Sequence, residues 1–553
     1  MIARATASAT LLLGILVIGV SAWPAPTTGG TKEAVNAPAG GVDKPTSNDA
    51  QARNADVLER KARVNFGALT AAELRLVRNA PYRSLVWSGA SSDPADPSND
   101  PSKGANWEAA RTIREELICW LLVDAEASRL VHPSGIGIAG ARIVRTIDLS
   151  YAASELPLTI VRSFVPAGLD LSNARIGPLV VRDSWTGAII ADQALVRGDL
   201  ALRYGRYGPV SLFRAQINGD LDFRGAQLAG EEPLLAVETK VEGDALFQED
   251  FQTAGLLDFR LANVKSSLSF NDAHFTGTRE NGLTAERAII GGTVYWVKVE
   301  GGPRTILNLG NARTAALWDD RASWPLAGNL VLAGFVYDSF SGGPTDAVSR
   351  LEWLHLQPRS LWTQPQPYRR LARTMRDSGN DAGASEVEIA REKALARYGN
   401  LSAAERAWKF ALWATIGYGY RPLRALWWIL LFVAMGTIFF GLGYRARLIA
   451  PTEAEAYESF NKSGEPPVHY PPFSSFIYSL ENFLPVVDLH QGAYWRPNPR
   501  HRVANEPRLF GRRVALGVVP GMVLRWYLWV HILAGWAITP LLFAGLSGLL
   551  RSD

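Results

Sequence analysis

Val210-Ser211-Leu212-Phe213-Arg214-Ala215-Gln216-Ile217-Asn218-Gly219-Asp220-Leu221-Asp222-Phe223-Arg224-Gly225-Ala226-Gln227-Leu228 is the stretch whose reading decides the fold. In it an apolar residue, a second two positions on, an Ala three after that and a further aliphatic two beyond occur twice. The first copy is Val210, Leu212, Ala215, Ile217 and the second is Leu221, Phe223, Ala226, Leu228. Outward from there the pattern returns at Ile136, Ile138, Ala141, Ile143, at Leu169, Leu171, Ala174, Ile176, at Leu257, Phe259, Ala262, Val264, and at Leu268, Phe270, Ala273, Phe275. Looser copies start at Ile147, Leu158, Leu179, Ile189, Leu200 and Leu307. Alternation over so few residues marks a short half-buried strand. A short strand at a fixed period marks a solenoid, in which no unit buries its apolar face until a neighbour stacks on it.

Two such units make a coil of roughly 21 residues, too short for a crossover helix, so residues 136–345 are expected to form a parallel right-handed β-helix. A Greek-key sandwich also repeats strands, but it does not demand the same four positions each time. At about 4.8 Å per coil, nine or ten coils predict a rod about 45 Å long. The Ala suits a crowded corner, and Gly219, Gly230 and Gly277 are expected to make the turn after it. The whole is therefore mainly β with α: a parallel right-handed β-helix with helical caps, followed by a two-helix transmembrane tail.

A chain of 553 residues predicts several domains. A net charge of +4 leaves no footprint for nucleic acid, so none is expected as a partner. Cys119 stands alone inside the apolar run from Leu117 to Val123, which removes a disulfide framework and reads as a small buried residue.

In chain order, 1–22 has a basic start, a short apolar core and small residues before a break, the form of a signal peptide. Residues 23–54 are poor in apolar period and rich in Pro, Gly, Ala and Thr, and read as a disordered linker. Residues 55–135 read as a helical cap over the open end of the solenoid, with a capping box at Thr70-Ala71-Ala72-Glu73 and a long helix from Asn106 to Val131. Residues 346–405 read as an αα-hairpin connector, broken at Ser378-Gly379-Asn380.

Residues 406–553 read as a membrane domain. Spans are expected at 425–444 and 526–549, bracketed by Trp427, Trp428, Tyr444, Trp526, Tyr527 and Trp529. Between them, 472–487 is apolar and helical but too short to span, and reads as a re-entrant or interfacial helix. The span, half-helix, span order would make Asp488, His490 and Gln491 pore-facing residues. His531 lies inside the second span, where ionisable groups are functional candidates or hydrogen-bond at the interface. Gly417-Tyr418-Gly419-Tyr420 precedes a span instead of following a half-helix, and reads as an interfacial turn with anchoring tyrosines.

The repeat resembles that of pentapeptide-repeat β-helices and of looser relatives in bacterial membrane proteins. Arg114-Glu115-Glu116-Leu117-Ile118-Cys119-Trp120-Leu121-Leu122, Gly137-Ile138-Ala139-Gly140-Ala141-Arg142-Ile143, the Leu169-Asp170-Leu171 coil and Pro365-Gln366-Pro367-Tyr368 carry a second resemblance. It is to bacterial membrane proteins of unknown function that often bear the label "membrane-associated oxidoreductase", and it extends over most of 106–553. The resemblance implies the architecture above; the signal-peptide form of 1–22 and the basic residues of the 445–525 loop lead to the expectation of an inner-membrane protein with the β-helix extracytoplasmic.

No catalytic, cofactor or metal residue is expected. The chain has no glycine-rich nucleotide loop and no Gly-x-Ser-x-Gly elbow, and His490 with Asp488 is too small a set to hold a metal. Asp199, Asp220, Asp222, Glu242, Asp244 and Asp258 alternate with inward positions and read as solvated. The expected partners are the lipid bilayer and an envelope protein or polymer. The function read from this is a structural or interaction module. Two alternatives stand beside it: a homo-oligomeric pore with the solenoid as sensor, and an oxidoreductase by label only.

Overall fold

The computed structural model describes residues 47–277, 281–302, 304–498, 508–509, 512–513 and 520–547. Residues 1–22, read as a signal peptide, lie outside them. The chain divides after Ala50, and the architecture below belongs to residues 51 onward.

The repeat folds as a parallel β-solenoid of about nine turns. A typical coil has four short strands, as in Leu158–Val161, Phe164–Val165, Leu169–Asp170 and Arg175–Ile176. Equivalent strands stack in parallel register: Leu158 beside Leu179, Leu179 beside Leu200, Leu200 beside Leu221. The 21-residue step thus places the first apolar residue of alternate units in one interior ladder. The position two residues on forms another, in which Phe247 stacks between Phe223 and Phe270 at 5.0 Å from each. Offset stacking of this kind adds about 0.5–1.5 kcal/mol per pair beyond the area buried. Towards the far end, Ile289–Trp296 pairs with both Asn263–Val264 and Leu268–Ser269, so two sides of the tube merge into one longer strand.

The turns differ from expectation. The left-handed backbone falls on the residue just before the corner Ala, as at Asn173, Gln193, Arg214, Leu261, Arg287 and Asn311. Of the three glycines expected to turn the chain, only Gly230 has positive φ (+118°). Gly219 and Gly277 are required by close approach, since a Cβ on either would overlap the preceding coil at Asp199 or at the Ala254 carbonyl. The αL side chains point away from the crowded interior, which is why non-glycine residues are tolerated there.

Before the solenoid, helix α1 (Ser47–Phe66) begins inside the stretch read as linker, and α2 (Ala71–Asn79) has the expected capping box from Thr70 and Glu73. The long helix expected over 106–131 is a single short one, α3 (Glu115–Val123), between 3-10 turns. The backbone ahead of it is committed to the solenoid: Ile113 N–H donates to the Arg142 carbonyl and Arg142 N–H to that of Arg111. Asp124 stops the helix by accepting from the N–H groups of Glu126 and Ala127. Strand Leu85–Trp87 adds a rung to the first coil.

At the other end, α4 (Ala347–Leu354) and α5 (Pro365–Asp377) cover the last coil. Gln357 accepts from Leu332 N–H, Gln366 accepts from Gly334 N–H and donates to the Phe335 carbonyl, and Arg370 donates to the Tyr337 carbonyl. Side chains thereby occupy edge groups that another strand would otherwise pair with. Helix α6 (Asp381–Tyr398) completes the hairpin with α5, turning at Ser378-Gly379-Asn380 as expected.

Beyond it run α7 (Ala403–Ile416), α8 (Arg424–Arg445), α9 (Ala454–Ser463), α10 (Ser475–Phe483), α11 (Gln491–Tyr494) and α12 (Pro520–Leu546). Tyr418 turns the chain between α7 and α8 with φ +58° and is buried, so it packs inward instead of anchoring at a surface. Lys409 pairs with Glu392, and Arg421 reaches Glu386 at 3.2 Å, tying α6 to this region.

Candidate functional site

Helices α8 and α12 are both long and apolar enough to cross a membrane. At 1.5 Å per residue the 22 residues of α8 extend about 33 Å. The two run antiparallel: Gly443 approaches Leu524, Gly436 approaches His531, and Pro422 meets Gly545. Their outer surfaces carry exposed Leu430, Ile438, Leu442, Val530, Leu533 and Phe543. That is the surface a bilayer accepts and water does not.

Between them sits a hairpin. Ser474 caps α10, which descends beside α8 from Ser475, close to Gly441, to Phe483, stacked 5.5 Å from Phe432. In nine residues it advances about 13 Å, so its C-terminal end lies well inside the length of α8. Leu484 to Val487 turn the chain, and Gln491 brings it back to the start. Gln491 accepts from Ser474 N–H (3.1 Å) and donates to the Pro472 carbonyl (3.2 Å), while Glu481 accepts from the N–H groups of Gln491 and Gly492. Both ends of the hairpin therefore lie toward the Arg445 end of α8, where Ile449–Pro451 pairs antiparallel with Trp495–Pro497.

His531 is fully buried at the level of Gly436, about 13 Å from the end of α8. Its Nε2 lies 3.0 Å from the Ser479 carbonyl and 3.3 Å from Ser479 Oγ, which itself donates to the Val433 carbonyl. Rings of Phe432, Phe440, Phe483 and Tyr527 surround it. His531 is thus a pin between α10 and α12, far from the helix edge where an interface hydrogen bond would form.

The other candidates separate. Gln491 is buried and holds the hairpin's neck, so it is not free to face a pore. Asp488 and His490 are both exposed, with Nδ1 of His490 3.0 Å from Asp488 Oδ1. Sequence reasoning missed Ser479, Glu481, Gly436 and Gly535. The glycines had a legible signal, small residues within apolar spans, but their facing partner could not be read from spacing.

On the solenoid the carboxylates serve the fold. Asp199 accepts from Asp220 N–H, Asp220 from Asp244 N–H and Asp244 from Ser267 N–H, a ladder joining successive coils. Asp222, expected to be solvated, is fully buried, held by Arg203 and Arg224 at 2.5 and 2.7 Å. That hydrogen-bonded pairing raises Arg224 above its ordinary value. Asp258 pairs with Arg260 and Glu242 with Lys265. Among the described residues no group of three or more His, Cys, Asp or Glu is placed to hold a metal.

Cys119 donates to the Asp148 carbonyl at 3.1 Å, and burial pushes its thiol up to about 12. Since the thiolate is the reactive form, native protein at pH 8 should alkylate at least about tenfold more slowly than protein unfolded in urea. Equal rates by mass spectrometry would show that this packing is absent.

No family model, curated protein or solved structure matches this chain.

Proposed function

We propose that this protein is a membrane-held parallel β-solenoid that acts as an interaction module of the bacterial envelope, with no chemistry of its own. The observation that carries the reading is the state of the solenoid's charges. The carboxylates that might have formed a catalytic set are consumed by coil-to-coil hydrogen bonds and by arginines of the same and the preceding coil. The last coil is covered by α4 and α5, which favours a rod of fixed length over one that polymerises.

In this reading α8 and α12 are the two spans, the rod winds right-handed, and it lies on the extracytoplasmic side of the inner membrane. Arg445, Arg447, Arg508, Arg512, Arg513 and Arg525 flank the spans on the opposite side and support that orientation, against Arg406, Lys409, Arg421, Arg424 and Arg551 on the rod's side. Exposed aromatics such as Trp185 and Trp318 are natural contact residues on the rod.

Photocrosslinking from position 185 and, separately, from position 318 in intact cells tests the proposal. A discrete crosslinked protein or polymer from either position is expected. Recovery of only uncrosslinked chain from both positions would count against it.

A further inference from the structure

The hairpin between α8 and α12 is not needed to hold a rod on a membrane; two spans suffice. Three observations set it apart. It enters and leaves on one side, and its half-helix ends well inside the length of α8. Past that end the chain turns through Leu484–Val487, with Val486 86% exposed, and the limb returning to the neck carries Asp488 and His490 with side chains 77% and 70% exposed. Within the hydrocarbon region of a bilayer, backbone that is neither helix nor closed barrel persists only where protein covers it or water fills it. A carboxylate left facing lipid costs up to about 2.5–3.5 kcal/mol on insertion scales, the figure for the centre of a span. One chain, with two long helices and one half-helix, cannot enclose these groups.

We propose that copies of this chain assemble around their hairpins, and that residues 484–490 of each copy line a water-filled path for small cations. The occupant of the exposed hairpin face is therefore a second copy, and the site is incomplete without it. The cation preference rests on charge. Residues 472–491 contain no Lys or Arg, and among the described residues the cationic partner of Asp488 is His490 alone. Helix α10 adds to this because its C-terminal end, which bears the negative part of the backbone dipole, points inward. Its carboxylate Glu481 is turned back to the neck and is not counted among the lining groups.

The inference does not rest on the rod's role as an interaction module, since a pore could stand beneath either a sensor or a scaffold. The test uses the full-length protein in phosphatidylcholine and phosphatidylglycerol vesicles under a potassium chloride gradient, with crosslinking in the same vesicles. Wild type should be oligomeric and conduct K⁺ over Cl⁻. Asp488→Asn should lower the cation-to-anion ratio by about threefold or more, and Asp488→Lys should lower it further, because a charge in a narrow path sets the local ion concentration. Position 488 is exposed in the single chain, so both variants should insert as wild type does. A monomer in the bilayer, inserted protein without flux, or selectivity indifferent to both substitutions would overturn the proposal.

Discussion

Arg350→Ala should lower the stability of the solenoid's last coils by about 3–5 kcal/mol, the cost of leaving a buried carboxylate without its partner. Arg350 is completely buried and grips Asp319 with two bonds of 2.8 and 2.6 Å. Its Nε donates to the Pro344 carbonyl, and the guanidinium lies 3.9 Å from the centre of the Phe340 ring. Asp319 sits at the end of strand Arg313–Asp319, and Arg350 is on the helix that covers it, so one contact joins cap to rod. Urea unfolding of the full chain in detergent, followed by tryptophan fluorescence, would read the loss, because Trp324 and Trp353 flank the pair. The double variant Arg350→Met with Asp319→Leu should be less damaged than Arg350→Ala, since a buried pair can be replaced by apolar groups at little cost. A double variant as unstable as the single one would show that the arginine acts through shape and not through charge.

Gly535→Ala should unseat the hairpin. A Cβ there would overlap the carbonyl of Phe483, a backbone atom that cannot swing aside, so α10 and α12 must separate. Overpacking of this kind costs typically about 1–3 kcal/mol, and more where backbone is struck. Close approach through small residues is also how apolar helices associate when lipid removes the hydrophobic drive. Gly441→Ala is the control: its Cβ would meet Ser475 at 3.4 Å, an ordinary contact. Hydrogen exchange across Ser475–Phe483 should lose protection in the first variant and keep it in the second. Equal protection in both would mean that the hairpin is not wedged against α12.

The sequence by itself determined the solenoid. A ladder needs only that the same residue type recur at the coil period, and Leu158, Leu179, Leu200 and Leu221 do so, which makes the long-range contact a local pattern repeated. It also determined the two long apolar helices and the turn at Ser378-Gly379-Asn380, where length, hydropathy and breaker residues speak within one window. The tertiary structure alone decided what has no period. The αL corners fell on Leu261 or Arg287 instead of on glycine because a corner is defined by the coil below it. Asp222 was buried by arginines two residues and a coil away. The segment 106–131 was broken up because its backbone had stronger partners in the first coil than in itself. His531, Ser479 and Gly535, separated by up to 56 residues (535 − 479), met because α10 is wedged between two helices that the sequence could name but not orient.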